Sequence, residues 1–351
     1  MKVIYFTKYS RIGASSRLRS YQYFTYLEKV GFSITVLPLF SESYLEQLYN
    51  GKVSKITVIK CYLGRLVNLL KLSKKTKVVI EKELFPFMPA WAERFLSLVG
   101  IKYLVDYDDA IFHNYDKNSN SIIRILLEYK IDYVMRYSDC VIAGNSYLEE
   151  RAKKAGAKNV EIIPTVIDST KYTMKDYSDA LNKKPFIIGW IGSPSTFKYL
   201  LLIAPVLEEL ANLDAHIHVI GAKGDLGFTK NVYFIEWEER SEIKNITAFD
   251  VGIMPLKDSP WEKGKCSYKL IQYMACGIPI IASPVGMNKK VVIQNGNGYL
   301  VNTHKEWKKA LLIYKNNIAK RKKHGTFGYH LVEEKYTIAS QIEKIINLLQ
   351  V

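Results

Sequence analysis

Short apolar runs alternate with helix-like stretches along almost the whole chain, and this alternation constrains the fold more than any other feature. In the first half the strand-like runs are Val3–Phe6, Ser33–Pro38, Val78–Ile80, Tyr103–Val105, Cys140–Ala143 and Glu161–Ile163. Helical patterns at Ser16–Val30, Pro89–Leu98, Ser121–Arg136 and Tyr147–Ala155 separate them, with a further helical region after Pro38. Such strand–helix alternation with short apolar strands predicts a parallel sheet covered by helices on both faces.

The rhythm breaks once, at PTVIDSTKYTMKDYSDALNKKP (164–185), a polar stretch bounded by prolines. It then restarts, with strands at Phe186–Ile191, His216–Ile220, Val232–Ile235, Val251–Met254 and Ile278–Ala282. Helices are expected at Thr196–Leu210, Ser241–Ala248, Ser267–Cys276, Lys305–Asn316 and Ile338–Leu349. A length of 351 residues accommodates two domains of ordinary size. The expected division is an N-terminal domain 1–168, a linker 169–185, a second domain 186–335 and a final helix in 336–351 that packs back on the first domain. The expected fold class is α/β, with two Rossmann-like, doubly wound parallel-sheet domains facing a cleft. Ligands of such sheets bind outside the carboxyl ends of the strands.

Three strand ends carry the chemistry. The first strand runs into SRIGASSRLRS, where Gly13 allows close backbone approach and Arg17 and Arg19 can fork onto a phosphate or carboxylate. The glycine spacing of a dinucleotide fingerprint is missing. The strand opening the second half runs into WIGSPSTFKYL, in which Gly192 turns the chain, Ser193 and Thr196 offer caps, and Lys198 enters the first turn. The third segment is GKCSYKLIQYMACGIPIIASPVG (264–286), where Ser267 is a good N-cap and Gly277 a good helix stop. Lys265, Tyr268 and Lys269 cluster at that helix start. A helix N-terminus flanked by lysines is a ready diphosphate site; it is equally the start of an ordinary α/β unit with solvated lysines.

The net charge of +16 points to anionic partners. Eight cations between Lys52 and Lys77 stand without an acidic residue, interleaved with leucines. This basic segment 52–77 reads either as an amphipathic helix lying on an anionic membrane surface or as a helix packed on its own domain. Nucleic acid is not an expected partner, because no recognition signature appears. The N-terminal apolar run is too short for a signal peptide, and no stretch approaches a membrane span. Cys61, Cys140, Cys266 and Cys276 have no metal-ligand spacing, and the six histidines form no cluster. Neither a metal nor a cofactor is expected.

On these residues the chain resembles GT-B glycosyltransferases, and more narrowly their retaining family 4. Gly192 and Lys198 match the glycine and lysine of the phosphate motif that opens the family's second domain, with Ser193 where an arginine is usual. Met274, Ala275, Gly277 and Pro279 match its Met-Ala-x-Gly-x-Pro run. The two glutamates that normally precede that run are Gly264 and Gln272 here. GASSRLRSYQY (13–23), EKELFP (81–86), DYDDAIF (106–112) and PWEKGKCSYKLIQYMACG (260–277) resemble a bacterial polysaccharide-assembly branch of the family.

The resemblance implies a donor diphosphate site of Gly13, Gly192, Ser193, Thr196, Lys198, Lys265, Ser267, Tyr268 and Lys269. It implies ribose and base contacts from Gln272, Ile235 and Trp237, catalytic or substrate contacts from Asp108 and Asp109, and acceptor-side contacts from Arg17, Arg19 and Lys82. The implied activity is transfer of a sugar, with retention, from a nucleotide-diphosphate sugar to an oligosaccharide or lipid-linked acceptor, as in O-antigen or capsule assembly. The implied location is cytoplasmic, peripheral on the inner face of the cell membrane. A nucleotide-sugar epimerase and a catalytically inactive binding subunit are the alternatives. Asp106-Tyr107-Asp108 also has the form of a metal-binding Asp-x-Asp, but it lies in the half away from the nucleotide motifs.

Overall fold

Apolar, β-branched runs form the strands, and in each half of the chain they align in parallel. In the first half β1 (Lys2–Phe6) lies between β2 (Ser33–Val36) and β3 (Lys77–Glu81), followed outward by β4 (Tyr103–Tyr107), β5 (Cys140–Ala143) and β6 (Val160–Ile162). Register is set by pairs such as Ile4 with Thr35 and Val78, and Val105 with Val141. In the second half the order is β12 (Gly298–Leu300), β11 (Ile280–Ala282), β10 (Val251–Met254), β7 (Phe186–Ile191), β8 (Ala215–Ile220) and β9 (Val232–Ile235). The expected α/β class with two doubly wound parallel sheets is what the chain forms.

This computed structural model describes residues 1–49, 54–177 and 185–350. Residues 178–184 of the expected linker, and Lys52 of the basic segment, lie outside the described residues. The chain divides into two units: Met1–Thr165 with Gly264–Cys266 and the chain from Gln341, and Val166–Lys263 with Ser267–Ser340. The described part of the expected linker belongs to the second unit rather than standing free. Lys175 N donates to Cys276 O at 2.9 Å, its ammonium to Phe249 O at 2.6 Å, and Tyr177 OH to Gly277 O at 2.8 Å. Backbone polar groups left unbonded on an apolar surface are costly, and these contacts satisfy them.

Each sheet has one point where the connection direction reverses. From β1 the chain goes one way to β2 and then back over β1 to β3, so the switch lies between β1 and β3. In the second sheet it lies between β7 and β10. Crevices at the carboxyl ends of strands flanking a switch point are the binding places of such sheets. The segments following β1, β3, β7 and β10 therefore matter most.

Three expected helices are broken. Ser16–Val30 becomes Ala14–Arg19, a 3-10 turn and Phe24–Lys29, with Ser20 out of helical geometry. Ser121–Arg136 divides into Ser121–Leu127 and Lys130–Tyr137. Thr196–Leu210 is a 3-10 stretch, Pro194–Ile203, that passes into the α-helix Ala204–Asn212 with a proline in its first turn. Strand β12 and the helix Ile318–Lys335 carry no clear sequence signal. That helix holds Gly325 and Gly328 where it crosses the helix Tyr268–Ala275; a Cβ at 325 would run into Gly277 O, and one at 328 would lie 3.0 Å from Met274 Cγ. Among the described residues no helix is long and apolar enough to cross a membrane.

Candidate active site

The second unit presents a cationic edge. Strand β7 ends at Ile191, and Gly192 N bonds Ile220 O of the neighbouring strand. Gly192 must be glycine: a Cβ there would lie 2.5 Å from Lys269 Nζ and against the Trp190 ring. Lys269, in the first turn of Tyr268–Ala275, holds its ammonium 4.3 Å from the Trp190 ring centroid and 3.4 Å from Thr196 Oγ1. A cation over an indole face is attracted by the ring and held in place by it. The 3-10 start at Pro194 places Lys198 at the exposed surface of the same edge, and Thr196 Oγ1 donates to Ser193 O at 2.9 Å.

Ser267 occupies the N-cap position with φ 54°, but its hydroxyl does not cap the helix. It donates instead to Asn288 Oδ1 at 2.7 Å. The expectation of a side-chain cap is corrected here. The left-handed backbone at Ser267 turns its side chain into the core, so the first-turn N–H groups of Tyr268 and Lys269 start the helix without a serine oxygen over them. Gly277 ends the helix with φ 67°.

Beside this edge, Gln272 is buried and its amide donates to Glu242 Oε1 at 2.7 Å and to Tyr172 OH at 3.2 Å. Trp237 Nε1 donates to the other Glu242 oxygen at 2.5 Å. Sequence reasoning missed Glu242 and Tyr172, which come from elements distant in the chain. Glu242 sets a carboxylate beside Gln272, the position at which the resemblance led one to expect a glutamate. Ile235 ends β9, two residues before Trp237.

The first unit presents an acidic edge built on buried ion pairs. Ser16 Oγ donates to Glu81 Oε2 at 2.6 Å, and Lys8 N donates to the same oxygen at 3.0 Å. Glu81 Oε1 is buried without a hydrogen-bond partner, and burial pushes the Glu81 carboxyl upward. Lys82, with φ 67°, turns its ammonium 2.9 Å from Asp108 Oδ1 and 3.0 Å from Ser15 Oγ. Ser15 also donates to Asp108 Oδ2. Burial alone would raise the Asp108 carboxyl, but the Lys82 ammonium and the Ser15 hydroxyl outweigh it and hold the group at about 2. Asp109 is the reverse: burial and then the charge of Asp108 push it up. Its carboxylate lies 3.9 Å from Lys265 Nζ. The two adjacent carboxyls are thus shifted in opposite directions, Asp108 down and Asp109 up. Ser15 was not singled out in the sequence.

Arg19, Arg17, Gly264, Lys265 and Gly13 all lie within the first unit. Arg19, expected on the acceptor side, is buried; its guanidinium forks onto Asp106 at 2.9 and 2.5 Å and donates to Ile163 O at 2.9 Å. A desolvated arginine requires such a fork, which leaves it as a pin between the first helix, β4 and the end of β6. Arg17 donates to Ile12 O at 3.3 Å within its own loop. Gly264 and Lys265 fall in the first unit, where Asn145 Nδ2 donates to Gly264 O at 2.8 Å. A Cβ at 264 would lie 2.6 Å from the Ala110 backbone nitrogen, so no glutamate fits there. Gly13 caps the helix Ala14–Arg19, and a Cβ there would lie 2.5 Å from Tyr9 Cβ. Among the described residues no group of three metal-ligating side chains converges.

Residues 185–316 match the family model of glycosyl transferases group 1. This group 1 domain takes in Gly192, Lys198, Trp237, Glu242, Lys269 and Gln272. Over 81 residues the chain is 33% identical to a probable sucrose-phosphate synthase of Thermosipho melanesiensis, a match spanning 23% of this chain and 18% of that protein. In fold, the whole chain is similar to sucrose-phosphate synthase of Thermosynechococcus elongatus, with a TM-score of 0.74 and 14% identity over 98% of that chain. It is similar to HepE of Anabaena in complex with UDP, with a TM-score of 0.72 and 12% identity over all of both chains. A glycosyltransferase of Rickettsia africae gives 0.71 and 12%, covering 99% of this chain and 97% of that one. HepE is also solved with UDP-glucose. The fold is GT-B.

Proposed function

We propose that this chain transfers a sugar from a nucleotide-diphosphate donor to a glycan acceptor, with the diphosphate held at the cationic edge of the second unit. The observation that carries the reading is the Gly192, Trp190 and Lys269 arrangement at the switch point of the second sheet, inside the group 1 domain. Cleavage of a sugar–diphosphate bond builds negative charge on the leaving oxygen. Lys269, Lys198 and the first-turn N–H groups of Tyr268 and Lys269 stabilise that charge without reorganising. Glu242, oriented by Gln272 and Trp237, accepts hydrogen bonds from the ribose hydroxyls, and Trp237 with Ile235 adjoins the base. Within the first unit, Asp108 and Asp109 are the carboxylates assigned a catalytic or substrate-contacting role, and Lys82 and Ser15 hold Asp108 in place. The donor is a hexose-type nucleotide sugar, the reaction retains configuration, and the acceptor is a lipid-linked glycan of the O-antigen or capsule kind, met at the inner face of the cell membrane.

A thermal-shift screen across UDP-, GDP- and dTDP-sugars tests the donor site, since a ligand of the folded state raises its stability. At least one is expected to shift the melting point, and incubation with a glycan acceptor is expected to yield an extended glycan. Absence of any shift overturns the donor site. The substituted positions Gly264 and Gln272 favour a second reading, a binding subunit without transferase activity. Donor binding with neither transfer nor donor hydrolysis supports that reading over the first, and release of a free epimerised sugar points to an epimerase instead.

A further inference from the structure

Consecutive helices on one face of the first unit each bury a charged side chain and expose apolar ones. In Lys55–Leu69, Arg65 is only 3% exposed and donates to Thr7 O at 2.7 Å and Leu37 O at 3.1 Å. Ile59, Leu63 and Val67 of the same helix face solvent, as does Leu70, which is 75% exposed. Their spacing marks a single helical face. In Trp91–Leu98, Glu93 is 1% exposed and accepts from Leu84 N at 2.8 Å, while Phe95 and Leu98 point out. In the pair Ser121–Leu127 and Lys130–Tyr137, Lys130 is buried on Glu83 and Phe85 O, while Ile125 and Leu126 are 79% and 69% exposed.

A helix at a water interface does the opposite. One exposed leucine is ordinary, but contiguous apolar surface on several elements marks an interaction site. The topology puts these helices on one side of the sheet. The connections β2 to β3, β3 to β4 and β4 to β5 all run in one direction across the sheet, so right-handed crossovers put their helices on one face. Tyr62 of the first helix donates to Pro86 O at 2.8 Å and contacts the Phe85 ring, which stacks on Trp91 of the second.

Charge selects the occupant. Lys55, Lys60, Lys71, Lys74 and Lys75 are exposed along the first helix and just beyond it, and no acidic residue occurs from 50 to 80. A second copy docked on this face sets those lysines against their own kind. An anionic bilayer receives both features, apolar side chains in the acyl boundary and ammonium groups among the phosphates. We propose that this whole face lies on an anionic lipid surface, with Trp91–Leu98 and Ser121–Leu127 inserted beside Lys55–Leu69. The proposal builds on the membrane part of the functional reading, and its test reads vesicle partition, apart from donor binding.

The full chain is sedimented with vesicles of phosphatidylcholine alone or mixed with phosphatidylglycerol. The double variants Leu63→Ser/Val67→Ser and Ile125→Ser/Leu126→Ser, both at exposed positions, are compared with the wild type. Unchanged melting points and unchanged donor-induced shifts show that fold and donor site are intact. The wild type is expected to sediment with the mixed vesicles and less with phosphatidylcholine. Each double variant is expected to lose about tenfold or more in partition, because each removes two side chains' worth of apolar burial. Equal partition of Ile125→Ser/Leu126→Ser and wild type overturns the proposal, as does a wild type that ignores anionic vesicles. Sedimentation velocity showing a wild-type dimer that the same variants turn into a monomer overturns it too, in favour of an interface between copies.

Discussion

The two switch-point edges share a scaffold and differ in how their charges are held. The second unit's edge holds Lys269 half-buried on an indole face and leaves Lys198 exposed. The first unit's edge locks its charges into buried pairs: Lys82 with Asp108, Arg19 with Asp106, Ser16 with Glu81. An accessible cation can be given to a ligand without loss to the fold. A buried pair is part of the fold, and breaking it strands a charge. The contrast therefore predicts that losing a cation of the second edge alters chemistry, whereas breaking a buried pair of the first alters stability.

The largest effect is expected from Asp108→Ala. It leaves the Lys82 ammonium buried without its partner and is expected to destabilise the protein by about 3–5 kcal/mol, read by chemical denaturation. A loss within about 0.5 kcal/mol, the range of a neutral surface change, erases the distinction between the edges. Lys269→Ala comes next. It is expected to lower turnover by about 10²–10³, the range for loss of one preorganised donor, with little change in melting point. The same turnover in variant and wild type removes the second edge from the chemistry. Gly264→Ala is expected to cost about 1–3 kcal/mol by overpacking against Ala110. A neutral result shows that the missing glutamate has another cause.

The subtlest prediction separates Asp108 from Asp109. Asp108 is held below its ordinary value, so its stabilising contribution is present above pH 3.8 and is lost as pH falls toward about 2. Acid titration of Asp108→Asn is expected to lack that part of the loss. Asp109 is raised by burial and by Asp108, so it favours the fold below its unfolded value and loses that contribution as pH rises through its folded one. At neutral pH Asp109→Asn is thus expected to melt slightly higher while turning over more slowly. A lower melting point for that variant contradicts the assignment of which carboxyl is strained.

The strands were legible because each is a short apolar run with nothing else to be. β12 was not, since Gly-Tyr-Leu is too brief to stand out. The helix Ile318–Lys335 was hidden because two glycines serve its close approach to a neighbour and blur its apolar period. That Gly192, Lys198 and Lys269 share one edge of the second unit could be read because glycine-plus-lysine at a strand end has a local reason. Glu242 and Tyr172 could not, because their meeting with Gln272 depends on tertiary packing. The burial of Arg19, expected on the acceptor side, of Arg65, counted in the basic segment, and of Glu93 and Lys130 was not foreseen, for one reason. A charged residue in a helical pattern is taken to face water unless its partner is known, and Asp106, Thr7, Leu84 and Glu83 are distant in sequence. Gly264 stands where the resemblance led one to expect a glutamate, and the nearness of Ala110 leaves no room for a side chain there.

The central claim is a nucleotide-diphosphate site at the second unit's cationic edge. It is tested most directly by titrating nucleotide-diphosphate sugars into wild type and Lys269→Ala while following the melting point. At least one UDP-, GDP- or dTDP-sugar is expected to stabilise the wild type, with the shift lost or sharply reduced in the variant, whose unliganded melting point is unchanged. Equal shifts in both proteins, or no shift in either, contradict it.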